Sequence, residues 1–178
     1  MGFKMSLKKS FLYSCIVLLG SFFVISTSNA QNKYHKIKNT KDYSLKAQAT
    51  KSSDPWTVKN IYLPKELAQI LTNKKAKKPV ILQVGFSFLY NQNHIIGSKY
   101  MGPAFRAKGI ETLKNEVKKY NLNENIVLYC GCCPWVDCPN IRPAFKAVKK
   151  LGYKNVHVLY IQTNFVQNWM DKDYPSSK

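Results

Sequence analysis

The sequence predicts an α/β domain built around a parallel β-sheet. Apolar stretches of strand length alternate with segments in which apolar residues recur at helical spacing. The stretch 126–129 is continuously apolar, as expected for a central strand that is covered on both faces. The order strand, helix, strand, helix is typical of parallel sheets whose strands are joined by crossover helices.

Four helices and two further strands are predicted around this central strand. The helices cover about 64–71, 110–120, 144–151 and 165–170, and the strands cover 80–84 and 156–160. Pro64 suits the first turn of the first helix. Gly152 is placed to end the third helix, because glycine readily adopts the left-handed conformation found there.

The first 30 residues are organised like a secretory signal peptide. Lysines precede an apolar stretch over 11–25, and small residues at Ser28 and Ala30 come before Gln31, so we expect cleavage after Ala30. An uncleaved anchor is the alternative, although the stretch is shorter than the ~20 residues that a membrane span needs. Whether the segment is a cleaved signal peptide or an uncleaved anchor, the rest of the chain is expected to be exported. We therefore predict a periplasmic or secreted protein without stable membrane insertion after cleavage.

The segment that follows, 31–55, is polar and rich in lysine, with little periodicity. Such a composition buries little apolar surface, and we predict a flexible basic linker. The ordered domain is then predicted over 56–175. Its length suits a single core.

The chain that remains after cleavage is strongly basic, with 25 basic and nine acidic residues and a net charge of +16. A field of this sign attracts anions, including nucleic acids. The lysines are scattered, however, and Arg106 and Arg142 are the only arginines. We interpret the charge as a basic, soluble surface and expect no nucleic-acid partner.

Four cysteines lie within nine residues directly after the central strand: Cys130, Cys132, Cys133 and Cys138. Neighbours in sequence cannot join distant parts of a fold, so we interpret them as a local device. Sites in open parallel sheets lie beyond the carboxyl ends of the strands. A helix that starts there presents free N–H groups and partial positive charge, which lower the pKa of a thiol. We therefore predict that Cys130, at the strand end, is the reactive thiol.

Four motifs resemble the rhodanese family of sulfurtransferases. They are His94-Ile95-Ile96-Gly97-Ser98, similar to the family's H-I-x-G-A; Cys130 after the central strand; Leu151-Gly152-Tyr153-Lys154-Asn155-Val156, similar to L-G-[FY]-x-N-V; and Trp169 with Tyr174-Pro175 near the end. The resemblance covers about 56–175. It implies a rhodanese-like fold with a central parallel sheet and helices on both faces.

The resemblance also implies a chemistry, which is sulfur transfer through a persulfide on Cys130. Arg142, at the entrance of the next helix, and the loop backbone at Gly131 would bind a small anionic sulfur donor. A thiol or a cyanide-like acceptor would take the sulfur, and we expect no cofactor. Asn140 is a candidate N-cap of that helix.

The sequence departs from the family's pattern at three places. Gln83-Val84-Gly85 stands where the family has Asp-x-Arg, and Thr163-Asn164 stands where it has two glycines. Arg142 lies twelve residues after Cys130, instead of five. Cys138 is a rival nucleophile, because it lies four residues before Arg142, close to the family's spacing.

The remaining cysteines of the loop have three readings. Cys132, Cys133 and Cys138 could resolve a persulfide or sulfenate on Cys130. A pair of them could instead form a disulfide that stiffens the loop, or they could bind Cu(I) or Zn(II) together with Cys130. We assign no metal, because structural zinc sites usually draw their ligands from two separated pairs. The alternative functions are thus a thiol–disulfide redox protein and a non-catalytic metal- or partner-binding module.

Overall fold

The computed structural model describes residues 40–178, so the predicted signal peptide and the start of the predicted linker lie outside the described residues. The chain divides into two compact units, Met1–Lys41 and Asp42–Lys178. The second unit contains every strand and helix described below, apart from the first two residues of the first helix. Within the described part, no helix has the length and apolar character required to cross a membrane.

Seven strands form two sheets in the described residues. They are β1 (Ile61–Tyr62), β2 (Val80–Gln83), β3 (His94–Ile95), β4 (Lys99–Tyr100), β5 (Ile126–Tyr129), β6 (Val156–Leu159) and β7 (Ser176–Ser177). The main sheet is entirely parallel and has the order β1-β6-β5-β2-β4, with β5 in the middle. Strands β3 and β7 form a separate antiparallel pair. The prediction of a parallel sheet with a central strand at 126–129 is therefore confirmed.

Six α-helices accompany these strands in the described part. They are α1 (40–48), α2 (Pro64–Thr72), α3 (Ser87–Gln92), α4 (Ala107–Val117), α5 (Ile141–Lys150) and α6 (Phe165–Asn168). Short 3-10 turns occur at Val58–Asn60, Trp135–Asp137 and Met170–Lys172. Helices α2, α4, α5 and α6 correspond to the four predicted helices.

The core lies on both faces of the sheet. Ile126 and Leu128 of β5 belong to one buried cluster, together with residues of α4 and α5. Val127 and Tyr129 belong to a second cluster, together with residues of α2 and α6 and the fully buried Trp169. Because successive side chains of a strand point to opposite faces, this division shows that β5 is covered on both sides.

The predicted linker is wrong for residues 40–55, where the structure shows a packed segment. Leu45 packs against the core, and Ala49 is only 1% exposed. The carbonyl oxygen of Ala49 accepts a hydrogen bond from the indole of Trp135 at 2.9 Å. Only Leu45, within α1, and Ala49, in the turn that follows it, make these apolar contacts, and two residues do not stand out among the surrounding lysines.

Candidate active site at the end of strand β5

Cys130 follows the last residue of β5 and is 5% exposed. Gly85, two residues after the end of β2, leaves room for its sulfur: a Cβ atom on Gly85 would lie 2.9 Å from Cys130 Sγ. Gln83 holds the two segments together, because its amide nitrogen donates to the carbonyl of Cys130 at 3.4 Å and its amide oxygen accepts from the Gly85 N–H at 3.1 Å. Gln83-Val84-Gly85 thus builds the wall behind the thiol.

The loop gathers its thiols into one cluster. The Cys130 thiol donates to Cys132 Sγ at 3.1 Å, and the sulfurs of Cys132 and Cys133 are 3.0 Å apart. The sulfurs of Cys130, Cys132 and Cys138 all lie within 4.8 Å of one another. All four cysteines are free thiols in the structure. The structure therefore brings the predicted cysteines together, and Cys133 stands at the edge of the group.

Trp135 anchors this loop. It is buried, and its ring contacts the rings of Trp56 and Tyr160 at centroid distances of 5.4 and 5.3 Å. At the start of the loop, Gly131 has a φ of 73°, and its carbonyl accepts from the Phe165 N–H at 3.1 Å. Because the loop is anchored at Gly131 and again at Trp135, Cys132 and Cys133 between these two residues occupy defined positions.

Asn140 is a site residue whose contact with sulfur the sequence did not indicate. It is 0% exposed, and its amide nitrogen donates to Cys130 Sγ at 3.4 Å and approaches Cys132 Sγ at 3.9 Å. Its amide oxygen accepts from the Phe105 N–H at 3.1 Å. Asn140 occupies the predicted N-cap position of α5, but its side chain does not cap the helix. An asparagine before a helix usually indicates a cap, so the sequence alone could not reveal its contact with sulfur.

The hydrogen bonds within the cluster shift the pKa values of Cys130 and Cys132 in opposite directions. Hydrogen bonds from the thiols of Cys130 and Cys138 lower the pKa of Cys132. The same bond to Cys132, with burial in addition, raises the pKa of Cys130. The prediction that the helix terminus lowers the pKa of Cys130 itself is therefore wrong for the resting cluster. The hydrogen bond to Cys132 and burial both favour the protonated form of Cys130.

Arg142 has partners other than those the sequence predicted. Its Nε donates to Asp54 Oδ1 at 2.7 Å, and the Asp54 side chain is 0% exposed. One terminal nitrogen also lies 3.5 Å from the carbonyl oxygens of Trp135 and Cys138. The guanidinium therefore ties the loop to the segment before Trp56, and these contacts do not support the predicted role in binding a donor anion.

A cavity of about 460 Å³ opens beside the cluster, and Cys130, Gly131 and Cys132 form part of its wall. Its other lining residues are mostly amides and apolar side chains: Gln83, Gln92, Asn93, Asn164, Gln167, Leu89, Tyr129, Phe165, Val166 and Met170. Asp171 is the one charged residue that lines it in the described part of the chain. The cavity thus gives a reactant access to Cys130 and Cys132 without a lysine or arginine beside it.

Several solved structures resemble this fold at low sequence identity. A crystal structure of the Alr3790 protein from Anabaena sp. is 20% identical over 65% of this chain and 90% of that chain, with a TM-score of 0.50. A solution structure of the rhodanese-like domain of the same protein is 19% identical over 66% and 78%, with a TM-score of 0.49. A rhodanese-related protein from Thermoplasma volcanium is 17% identical over 66% and 97%, with a TM-score of 0.44.

The family of this chain is identified by comparing its sequence with models of known protein families. The comparison with curated proteins finds no match. The family model of the rhodanese-like domain, in contrast, matches residues 63–160, which is more than half of the chain. This range contains β1's partner β6, the central strand β5 and the whole cysteine-rich loop. The chain belongs to the rhodanese-like domain family.

Proposed function

We propose that this protein is a sulfurtransferase that carries sulfane sulfur as a persulfide on Cys130. The observation that supports this most is the position of the Cys130 thiol, at the carboxyl end of the central strand and in the wall of a cavity of about 460 Å³. Sites of open parallel sheets lie at this edge, and the family is one of sulfurtransferase-like domains.

The reaction consists of two displacements at sulfur. The Cys130 thiolate forms an S–S bond with the sulfane sulfur of the donor, and the rest of the donor leaves with the electron pair of the broken bond. An acceptor thiolate then attacks the outer sulfur of the persulfide, and Cys130 leaves as a thiolate. No net oxidation occurs, so the cycle needs no cofactor.

Cys132 activates Cys130 in this proposal. The sulfurs of Cys130 and Cys132 are 3.1 Å apart and share one proton through a hydrogen bond, so the thiolate can stand on either of them. The thiolate then stands on Cys130, where the amide nitrogen of Asn140 lies 3.4 Å away and stabilises it. The buried thiol thus gains a nucleophilic form without an external base.

The cavity favours a sulfur donor that is held by hydrogen bonds instead of a fixed cation. Amide side chains such as Gln92 and Asn164 offer N–H donors to oxygen atoms, and Phe165 and Met170 offer apolar contact. Asp171 disfavours a small dianion by repulsion. The persulfide of an organic thiol fits this lining better than thiosulfate does.

The experiment is sulfur loading followed by intact mass measurement. Reduced protein is incubated with thiosulfate or with the persulfide of a low-molecular-weight thiol, and peptide mapping locates the added sulfur. We expect one sulfur per chain on Cys130 in the wild type and in the Cys133→Ser control, and none in Cys130→Ser. Loading of Cys130→Ser on Cys138 would show that Cys138 is the nucleophile.

Thiol–disulfide exchange is the second candidate, because the sulfurs of Cys130 and Cys132 are only 3.1 Å apart. A thiolate on Cys132 that attacks a Cys130 persulfide releases hydrosulfide and leaves a Cys130–Cys132 disulfide. The same mass measurement distinguishes the two functions. A product that has lost two hydrogens and gained no sulfur indicates a redox protein.

We also propose that the protein acts outside the cytoplasm. The proposal rests on the basic and apolar segments of the first 30 residues. Expression of the full chain in a bacterium, followed by N-terminal sequencing of the exported protein, should give Gln31 as the first residue. A protein that still begins at Met1 would contradict cleavage.

A further inference from the structure

Three of the loop thiols converge in the way that ligands of a single metal ion do. The sulfurs of Cys130, Cys132 and Cys138 lie within 4.8 Å of one another. Metal–thiolate bonds of about 2.3 Å place three sulfurs of a trigonal site about 4 Å apart. Small movements of the side chains are therefore enough to bring the three sulfurs to bonding distance of a common centre.

Space for an ion exists next to two of these three sulfurs, those of Cys130 and Cys138. It is a cavity of about 10 Å³ that is also lined by Cys133, and its apolar walls are Trp135, Ile141, Leu159 and Ile161. This volume is near the lower limit for one water molecule. Because the remaining walls are apolar, the site offers an ion sulfur ligands and little opportunity to keep water ligands.

Polar N–H groups surround the sulfurs and match the charge of a metal–thiolate centre. The side-chain amide nitrogen of Asn140 approaches Cys132 Sγ at 3.9 Å. The Asn140 amide donates to Cys130 Sγ at 3.4 Å. These donors lie at the N-terminus of the ten-residue helix α5, whose dipole also favours negative charge. Hydrogen bonds of this kind orient thiolate ligands and stabilise the bound ion.

We propose that Cys130, Cys132 and Cys138 bind one Cu(I) ion as three thiolates. Soft thiolate ligands select Cu(I), whereas zinc usually completes a tetrahedron with a fourth ligand. Binding releases the protons of the three thiols, forms three Cu–S bonds and leaves the copper in its monovalent state. The site carries two negative charges, which the N–H donors at α5 offset.

This inference goes beyond sulfur transfer and does not depend on it. Copper and a persulfide compete for the sulfur of Cys130, so a copper-loaded chain should not accept sulfur. Copper binding by itself is measured on protein that has never met a sulfur donor. Failure of one proposal therefore leaves the other open to its own test.

The experiment is a titration of the reduced full chain with Cu(I) under anaerobic conditions, in competition with a chromophoric Cu(I) chelator. We expect one ion per chain. Serine at position 130, 132 or 138 should weaken binding by at least about 100-fold, the upper end of the loss typical when even an outer hydrogen bond is removed. Cys133→Ser is the matched control: Cys133 lies outside the three converging sulfurs, so this variant should bind Cu(I) more tightly than each of the other three variants.

X-ray absorption of the wild-type copper complex tests the ligand set without any variant, in case a serine variant fails to fold. Three sulfur ligands at about 2.3 Å would support the proposal. Two or four sulfur ligands, wild-type affinity in Cys138→Ser, or tighter binding of Zn(II) than of Cu(I) would overturn it.

Discussion

Asn140 shows how one buried amide can serve both structure and chemistry. Its oxygen accepts from the Phe105 N–H, and its nitrogen donates to Cys130 Sγ. A hydrogen bond to a charged group contributes about 1.5–3 kcal/mol, and the sulfur is charged only when Cys130 is a thiolate. The amide therefore stabilises the reactive form more than the resting thiol, which makes Asn140 a positioning residue for the proposed reaction.

The prediction is that Asn140→Ala and Asn140→Asp both slow sulfur loading of Cys130 by about tenfold or more, which corresponds to about 1.4 kcal/mol in the barrier. Asp keeps an oxygen acceptor for Phe105 but removes the donor to sulfur, so it separates the two roles. The rates are measured by quenching the sulfur-loading reaction at successive times and determining the loaded fraction by intact mass. Wild-type loading by Asn140→Asp would show that the amide N–H does not act on the sulfur.

Arg142 leads to a different prediction, because its partner Asp54 is fully buried. Removal of Arg142 leaves the buried Asp54 carboxylate without its cation. Because the guanidinium side chain is itself 26% exposed, we expect Arg142→Ala to lower the free energy of unfolding by about 1–3 kcal/mol. The other arginine, Arg106, is exposed, and Arg106→Ala should change the free energy of unfolding by less than about 0.5 kcal/mol. Urea unfolding measures both. Unchanged stability with weaker donor binding would restore the anion-binding role.

At the scale of elements, helix α4 is fixed to the edge strand β4 by a charged network around Glu116. The Glu116 carboxylate accepts from Lys119 at 2.6 Å, from Lys99 of β4 at 2.7 Å and from Tyr120 at 2.9 Å. These hydrogen bonds, that of Lys119 first, lower the pKa of Glu116 from 4.5 to about 2. Strand β4 has only two residues, so these side-chain contacts add to its backbone pairing with β2.

The prediction for this network is a pH-dependent loss of stability in Glu116→Gln. A carboxylate with a lowered pKa stabilises the folded state above its ordinary pKa, and the contribution is lost as the pH falls toward about 2. We expect the variant to be about 1–2 kcal/mol less stable than the wild type at pH 7, because its partners are partly exposed. The two unfolding curves should converge between pH 4.5 and 2. A difference that is constant with pH would contradict the network.

The elements that the sequence predicted are those with a visible period. Four-residue strands such as β5 show continuous apolar character, and α5 shows a clear apolar stripe, so both were predictable. Strands β1 and β4 have two residues each, and two residues cannot display an alternation. Their pairing depends on neighbours that are distant in sequence, as when Tyr62 aligns with Leu159.

At the scale of the whole molecule, the parts of the site that follow from a local sequence pattern were predictable. The parts that depend on contacts between distant residues were not. Cys130 was predictable because a strand, a loop and a helix follow one another along the chain. The pairing of Arg142 with Asp54 joins residues 88 positions apart, and the bond from Trp135 to Ala49 spans 86. No local pattern encodes such contacts, and the polar composition before residue 56 concealed them.

Those two contacts lead to the last prediction, which concerns the segment 42–55. It buries Ala49 against the loop, supplies Asp54 to Arg142 and packs Leu45 on the core. A chain that starts at residue 56 should therefore be less stable than a chain that starts at residue 40, by at least about 3 kcal/mol, because a buried ion pair and buried apolar surface are lost together. For a domain of this size, the midpoint of thermal unfolding should fall by roughly 10 °C. The shorter chain should also expose Cys138 to alkylating reagents, since the Trp135 end of the loop loses its anchor. Equal midpoints and equal alkylation rates for the two chains would mean that 42–55 is a dispensable linker, as its composition alone suggested.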